Sequence, residues 1–167
     1  MTLSRTPLTT EDADLRGTLL AHASLIAEHS RGTASWQYAS IYALVLAQGV
    51  FCPTSFAPVN RGMPKHCYRN AFQLATGDTT LRYCEGFAFA ASFPFPFDHA
   101  WCVNERDEIV EPTWVPPGTA YLGICLKTTY VQEQVLRQGI YGLLCDPRTV
   151  MPFLQQGIPP EALAYKD

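Results

Sequence analysis

The feature that most constrains the fold is a run of four strand-like segments in the middle of the chain. Residues 81–92 are rich in Tyr, Phe and Cys, and three further segments follow at 98–104, 108–115 and 120–127. The polar turn 105–107 joins two of them into a predicted hairpin. Helical patterns lie on both sides of this run. Consecutive strands flanked by helices are typical of an α+β domain with an antiparallel sheet.

Three helices are predicted before the strands. Hydroxyls followed by acids at residues 9–12 predict a helix start. The apolar positions of this helix recur at helical spacing, at Leu15, Leu19, Ala23 and Ile26. A second helix is predicted over residues 34–48, with Gly49 as its stop. The third begins at Cys67 and ends near Gly77.

Helices are also predicted after the strands. Thr129 and Gln132 have the spacing of a capping box, which predicts a helix through Gln138. A shorter helix is expected to end at Gly157, and another to start at Pro160.

Composition limits the classes of function. The chain has 167 residues, 47% of them hydrophobic and 16% charged, so one domain with a sizeable core is expected. A net charge of −3 without a Lys/Arg cluster argues against nucleic acid as a partner. The apolar stretch 41–51 is too short to span a membrane, and residues 1–7 lack the apolar core of a signal peptide. We therefore expect a cytoplasmic protein without a membrane partner. The oligomeric state is left open.

The six cysteines do not form a metal or disulfide motif. They lie at Cys52, Cys67, Cys84, Cys102, Cys125 and Cys145, with no C-x-x-C pair. This spacing is a poor pattern for zinc and a poor framework for disulfides. Most of them are expected to be small buried hydrophobic residues.

An ordered trio of residues points to chemistry. Cys67 begins a predicted helix, and His99 and Glu111 follow on predicted strands on either side of the hairpin turn. An ordinary thiol is only a few per cent thiolate at neutral pH, so a nucleophilic Cys needs help. A helix N-terminus favours the anion, a His takes the proton, and a carboxylate orients the His. His66 is a weaker candidate for the base, because neighbouring helical positions point about 100° apart.

Supporting residues can be named around the trio. The backbone N–H of Cys67 is a natural oxyanion donor, and the side-chain amide of Asn60 is a second candidate. Asn70 is the alternative, although it lies one helical turn after Cys67 and suits the capping of a loop or strand better. Trp101 shares the face of His99, since strand side chains alternate, and it is expected to shield the His–Glu contact from water.

Substrate-binding candidates lie on the strands. Glu85 stands in an apolar segment, where an unpaired acid is costly, so it is expected to pair with Arg69 or Arg82 or to bind substrate. The aromatic segment 93–97 is expected either to form a rim for an extended peptide or to pack its Phe rings into the core. Phe95 and Trp114 are the aromatic residues that we assign to substrate binding.

The motifs resemble the core of transglutaminase-like, papain-type cysteine proteins. In that superfamily a helix carries the Cys, a strand carries His-Ala-Trp, and the next strand usually carries Asp-Pro-Thr. Here these elements correspond to Cys67–Ala71, His99–Trp101 and Glu111–Thr113. The Cys-x-x-Asn-Ala helix and the Tyr83–Gly86 strand also resemble those of small uncharacterised bacterial and phage proteins. The resemblance covers residues 65–126.

The resemblance implies a Cys-His-Glu triad and no metal or organic cofactor. Cys67 would be the nucleophile, His99 the general base and acid, and Glu111 the orienting acid. Glu replaces the usual Asp, and its extra methylene moves the carboxylate by about 1.5 Å. The implied fold is one papain/transglutaminase-like domain over residues 1–167, in which the core 65–126 joins a helical part 9–50 and a helical tail 128–167.

The implied reaction is attack of a thiolate on a peptide or protein amide to give a thioester. Hydrolysis, deamidation and transamidation all remain open. The alternative is a weakly active or inactive binding or accessory protein on the same fold, encoded by a phage or mobile element.

Overall fold

A five-stranded antiparallel sheet with helices packed on it forms the protein, and the computed structural model describes residues 7–30, 32 and 35–164. The helices are α1 (Thr10–His29), α2 (Ile41–Gln48), α3 (Cys67–Gly77), α4 (Thr128–Gln138), α5 (Pro147–Gln156) and a 3-10 turn at Pro160–Ala162. The strands are β1 (Val50–Phe51), β2 (Arg82–Phe89), β3 (Pro96–Val103), β4 (Ile109–Val110) and β5 (Ala120–Leu126). They are ordered β1-β5-β2-β3-β4, with every pairing antiparallel. This confirms the predicted α+β class with an antiparallel sheet.

Several helix ends lie where the local signals predict them. Thr9 caps α1 through a reciprocal pair of hydrogen bonds with Asp12, at 3.0 and 3.1 Å. The third helix begins at Cys67, as predicted. Gly139 and Gly157 follow α4 and α5 with φ of 69° and 82°, a left-handed backbone that suits glycine.

Two predictions for helix starts are wrong. α2 begins at Ile41 rather than near residue 34, with Ser40 as its cap. The backbone N–H groups of Gln37 and Tyr38 donate to carbonyls at the end of α5 instead of to a helical turn. The predicted capping box at Thr129 does not form, because the cap position of α4 is Lys127, two residues earlier.

The sheet is covered on both faces. On one face Tyr83, Ala100 and Leu122 belong to the main core with the helices, and the Cys102 thiol donates to the Ala71 carbonyl of α3 at 3.3 Å. On the other face a smaller cluster forms around Trp101 and neighbouring strand residues. His99 alternates with Ala100 and Cys102 along β3, so its side chain leaves the strand on the same face as Trp101.

None of the helices in the described ranges is long and apolar enough to cross a membrane.

Candidate active site

Cys67 is the first residue of α3. Lys65 has a φ of 65°, so the chain turns sharply just before the helix. His66, at the cap position, makes no side-chain hydrogen bond to the helix. The first N–H groups of α3, that of Cys67 among them, have no carbonyl partner within the helix. The half-buried thiol therefore lies at the positive end of a helix whose terminus no side chain caps.

His99 lies where β3 lacks a neighbour on one side. It pairs with Gly86 of β2, whereas β4 pairs only with Cys102 and Val103. Among the described residues, the edge of β3 beside His99 has no neighbouring strand, and the start of α3 makes a contact close to it. The Tyr68 hydroxyl donates to Asp98 Oδ2 at 3.0 Å. Tyr68 follows Cys67 in the sequence, and Asp98 precedes His99.

Glu111 fixes the His99 ring. Nε2 of His99 lies 2.8 Å from Glu111 Oε2, and both side chains are only 1% exposed. The Tyr121 hydroxyl donates to the same oxygen at 2.9 Å. The other oxygen accepts the N–H groups of Thr113 and Trp114 at 2.9 and 3.0 Å. Burial opposes ionisation, but the His99 and backbone hydrogen bonds outweigh it and hold the pKa of Glu111 below its usual value.

The prediction that Glu111 lies on a strand is wrong. β4 ends at Val110, because Pro112 has no N–H and the Glu111 carboxylate bonds to the backbone just after it. The pairing of Cys102 with Val110, continued by one residue, would place Glu111 opposite Trp101, so His99 is its diagonal neighbour. Diagonal neighbours are about 7–8 Å apart and suit long side chains. The Glu side chain is long enough to reach His99 across this diagonal.

The thiol also acts on His99. Burial alone would lower the pKa of His99, but the interactions with Cys67 and Glu111 outweigh it and raise the pKa to about 9. Because Glu111 occupies Nε2, the ring nitrogen left for the thiol is Nδ1. A carboxylate partner keeps the proton on Nε2, which leaves Nδ1 able to accept the thiol proton. His66, the weaker candidate for the base, is exposed.

Trp114 covers the imidazole more closely than Trp101 does. The Trp114 and His99 ring centroids are 3.7 Å apart, with the planes inclined by 14°. The Trp101 ring lies 6.2 Å from His99 and is fully buried. It packs against β5, where a Cβ on Gly123 would meet it at 2.4 Å. Both indoles lie beside the His99 ring, and the shielding of the His–Glu contact by Trp101 stays a prediction.

A line of aromatic rings runs from the surface to His99. The ring centroids of Phe93 and Phe97 are 6.0 Å apart, and those of Phe97 and Trp114 are 6.2 Å apart. Both pairs pack edge to face. Phe97 is 39% exposed and Phe95 is 65% exposed. The aromatic segment therefore does not pack wholly into the core. Part of it also belongs to β3, which begins at Pro96.

Glu85 does not have the predicted environment. It is fully buried, so it offers no surface to a substrate, and its partners are not Arg69 or Arg82. It accepts hydrogen bonds from the Tyr83 hydroxyl and from the N–H groups of Leu143 and Leu144, at 2.8–2.9 Å. Burial raises the pKa of Glu85 to about 7, although these three bonds oppose the shift. Glu85 thus anchors the segment between α4 and α5 to the sheet.

The two candidate amides differ in their surroundings. Asn60 is exposed in the loop before α3, and its oxyanion role stays a prediction. Asn70 is buried, and its amide bonds to Met63 and Thr113. An amide engaged in this way is not available to an oxyanion, which agrees with the expectation that Asn70 suits the capping of a loop better.

Two residues around the trio were missed at the sequence level. Tyr121 lies in an apolar strand, where a Tyr is indistinguishable from an ordinary core residue. Arg61 donates to the Glu111 carbonyl from the preceding loop. Only the spatial approach of that loop reveals this contact, since no local pattern marks it.

The cysteines differ from the expectation in one pair. Cys84 and Cys125 are directly opposed on β2 and β5 and form a disulfide. Linear spacing does not reveal this pair, because strand register brings the two residues together. Disulfides are rare in a reducing cytoplasm, so the cytoplasmic location stays a prediction. Cys52, Cys67, Cys102 and Cys145 are free.

Within the described residues, no group of three or more His, Cys, Asp or Glu side chains is placed to hold a metal ion. No protein-family model, curated protein or solved structure matches the chain. The resemblance to the transglutaminase-like superfamily therefore rests on the sequence motifs alone.

Proposed function

We propose that the protein is a cysteine-dependent hydrolase or acyltransferase that acts on a peptide-type amide, on a papain/transglutaminase-like fold. The observation that carries the proposal is the buried His99–Glu111 pair together with Cys67 at the start of α3, where the Tyr68–Asp98 hydrogen bond joins the residue after Cys67 to the residue before His99. A thiol, an imidazole and a carboxylate in this order are the parts of an activated nucleophile.

The proposed reaction begins with transfer of the Cys67 proton to His99 Nδ1. The thiolate attacks the amide carbonyl, and the N–H of Cys67 stabilises the oxyanion, with Asn60 as a second candidate donor. His99 then returns the proton to the leaving amine as the C–N bond breaks, which leaves a thioester on Cys67. Water or a second amine, deprotonated by His99, resolves the thioester. Glu111 stays ionised throughout and holds the imidazolium that forms.

The aromatic line supports a peptide-type substrate. Phe97 and Trp114 of this line are at least partly exposed, as is Phe95, two residues before Phe97, and Trp114 contacts the proposed base directly. Exposed apolar groups that adjoin a reactive centre favour side chains of a bound substrate. Phe95 and Trp114 thus remain our proposed substrate-binding residues.

A binding or accessory protein on the same fold is the second candidate. The burial of His99 and Glu111, at 1% exposure each, favours it, since a buried pair also serves as a purely structural network. The half-buried Cys67 favours catalysis, because the nucleophile is the member that must reach a substrate.

The first test is iodoacetamide labelling of each free cysteine between pH 5 and 9, followed by mass spectrometry, for the wild type and His99→Ala. We expect Cys67 to label fastest near pH 6 and to lose that advantage in the variant. Cys145 is an internal control for an ordinary, unactivated thiol. The residue as a whole is exposed, but partial burial of its thiol raises its pKa to about 11. Equal, slow labelling of Cys67 and Cys145 at pH 6 would rule out the thiolate–imidazolium pair.

The second test is acyl transfer from p-nitrophenyl acetate. Attack by Cys67 forms an acetyl thioester and releases p-nitrophenolate, so we expect a burst of colour and an acetyl mass on Cys67. Cys67→Ala should abolish both, whereas the matched variant Cys145→Ala should retain them. A burst without an adduct on Cys67 would refute the assignment of the nucleophile.

A further inference from the structure

Asn70 is a fully engaged amide one helical turn after Cys67. It is 6% exposed. Its Nδ2 donates to the Met63 carbonyl at 2.8 Å and to the Thr113 hydroxyl at 2.9 Å. Its Oδ1 accepts the Met63 N–H at 3.2 Å. Both amide hydrogens are therefore used, and the side chain is held from two sides.

The two sides are the chain segments that flank the proposed site. Met63 lies in the loop that leads into Cys67, and Thr113 lies in the turn whose N–H groups hold the Glu111 carboxylate. The same segments meet a second time, where the Gly62 N–H donates to the Pro112 carbonyl at 2.8 Å. Asn70 is thus the side chain of α3 that bonds to both of them.

The fit around Asn70 is tight. A Cβ on Gly62 would lie 2.3 Å from Asn70 Oδ1, so the amide packs directly against the loop backbone. A longer or differently branched side chain has no room there without movement of the loop. Polar groups buried in this way specify one arrangement of the segments that they join.

We propose that Asn70 is a positioning residue that sets the alignment of Cys67 with the His99–Glu111 pair. The inference rests on the proposed function, because it assigns Asn70 to that same site. Through Thr113, Asn70 ties the first turn of α3 to the turn that holds Glu111. Through Met63, it fixes the loop from which Cys67 enters the helix. A displacement of about 1 Å between reacting groups costs on the order of 100-fold in rate.

The test compares Asn70→Ala, Thr113→Val and Thr113→Ser in Cys67 labelling at pH 6. Thr113→Val keeps the shape and removes the acceptor, whereas Thr113→Ser restores a hydroxyl. We expect Asn70→Ala and Thr113→Val to slow labelling by about 10- to 100-fold and Thr113→Ser to stay near the wild type. The double variant Asn70→Ala/Thr113→Val should be no slower than Asn70→Ala, because both changes remove the same bond.

Thr149→Val is the control for a general loss of stability. The Thr149 hydroxyl in α5 bonds to the carbonyls of Leu143 and Asp146 at 2.6 and 3.0 Å, so its loss weakens the fold elsewhere. We expect this variant to unfold at lower urea and to label Cys67 at the wild-type rate. Where Asn70→Ala does not fold, Thr113→Val with its Ser rescue carries the test.

The outcomes separate the two proposals. Fast labelling of wild-type Cys67 that persists in Asn70→Ala or Thr113→Val overturns the role of Asn70 and leaves the proposed function intact. Slowing by Thr149→Val to the same degree also overturns it, since the effect is then one of stability. Slow labelling of the wild type itself overturns the proposed function first.

Discussion

Replacement of Glu111 by Gln is the sharpest probe of the His99 contact. The carboxylate accepts the Thr113 and Trp114 N–H groups at one oxygen, and the His99 ring and the Tyr121 hydroxyl at the other. In Glu111→Gln the amide oxygen takes the position that faces the Thr113 and Trp114 N–H groups, because these donors need an acceptor. The amide nitrogen then faces His99 Nε2 and donates to it. His99 is forced to carry its proton on Nδ1, where it no longer accepts the thiol proton.

The size of the effect follows from the pKa of His99. Its rise from 6.5 to about 9 results from the hydrogen bonds and charges of Cys67 and Glu111, against burial. The rise corresponds to about 3 kcal/mol, or roughly 300-fold in favour of the imidazolium, and because burial opposes it the two partners together supply at least this much. As one of the two partners, Glu111 supplies a share of this stabilisation, and we expect Glu111→Gln to slow labelling of Cys67 at pH 6 by about 10- to 100-fold.

The assay is per-cysteine labelling at pH 6 and at pH 9, with Cys145 as the internal reference. Glu28→Gln is the matched control, since Glu28 is an exposed residue of α1 and the change is chemically the same. The defect should shrink at pH 9, where an ordinary thiol also forms thiolate. Unchanged labelling of Cys67 in a folded Glu111→Gln protein would refute the argument from the tautomer.

Two further changes test the surroundings of the site. Because the pKa of Glu85 is raised from 4.5 to about 7, its contribution to stability is complete below pH 4.5 and is lost as the pH rises through 7. The free energy of unfolding of the wild type should thus fall by about 3 kcal/mol relative to Glu85→Gln over this range in urea titrations, and parallel curves would contradict the buried acid. Gly123→Ala places a methyl 2.4 Å from the buried Trp101 ring and should cost about 1–3 kcal/mol of stability, measured by thermal unfolding. An unchanged melting temperature would contradict the close packing of Trp101 on Gly123.

Local signals in the sequence predict the elements and the order of the site residues. The start of α1, the start of α3 at Cys67 and the glycines after α4 and α5 all follow from caps and backbone preferences within a few residues. The alternation of β3 places Trp101 on the face of His99. These features depend on neighbours in the chain, so a single sequence contains enough information to find them.

Partners distant in the chain could not be predicted in the same way. The disulfide and the hydrogen bonds from the Leu143 and Leu144 N–H groups to Glu85 join segments far apart in sequence. The hydroxyl of Tyr121 reaches Glu111 from a different element, β5. Local reasoning assigned Glu85 an Arg partner, because a buried acid must be satisfied and an Arg was nearby in the chain. The fold satisfied it with backbone N–H groups of the segment between α4 and α5 instead.

The candidate site shows both contributions. The sequence by itself determined that Cys67 begins a helix and that His99 and Glu111 flank a hairpin turn, because caps, alternation and turn residues act over short distances. Only the tertiary structure decided that β4 stops before Glu111, that Trp114 rather than Trp101 stacks on His99, and that Asn70 binds two loops. Those outcomes depend on strand register and on the approach of loops to one another, which are set by the packing of the whole core.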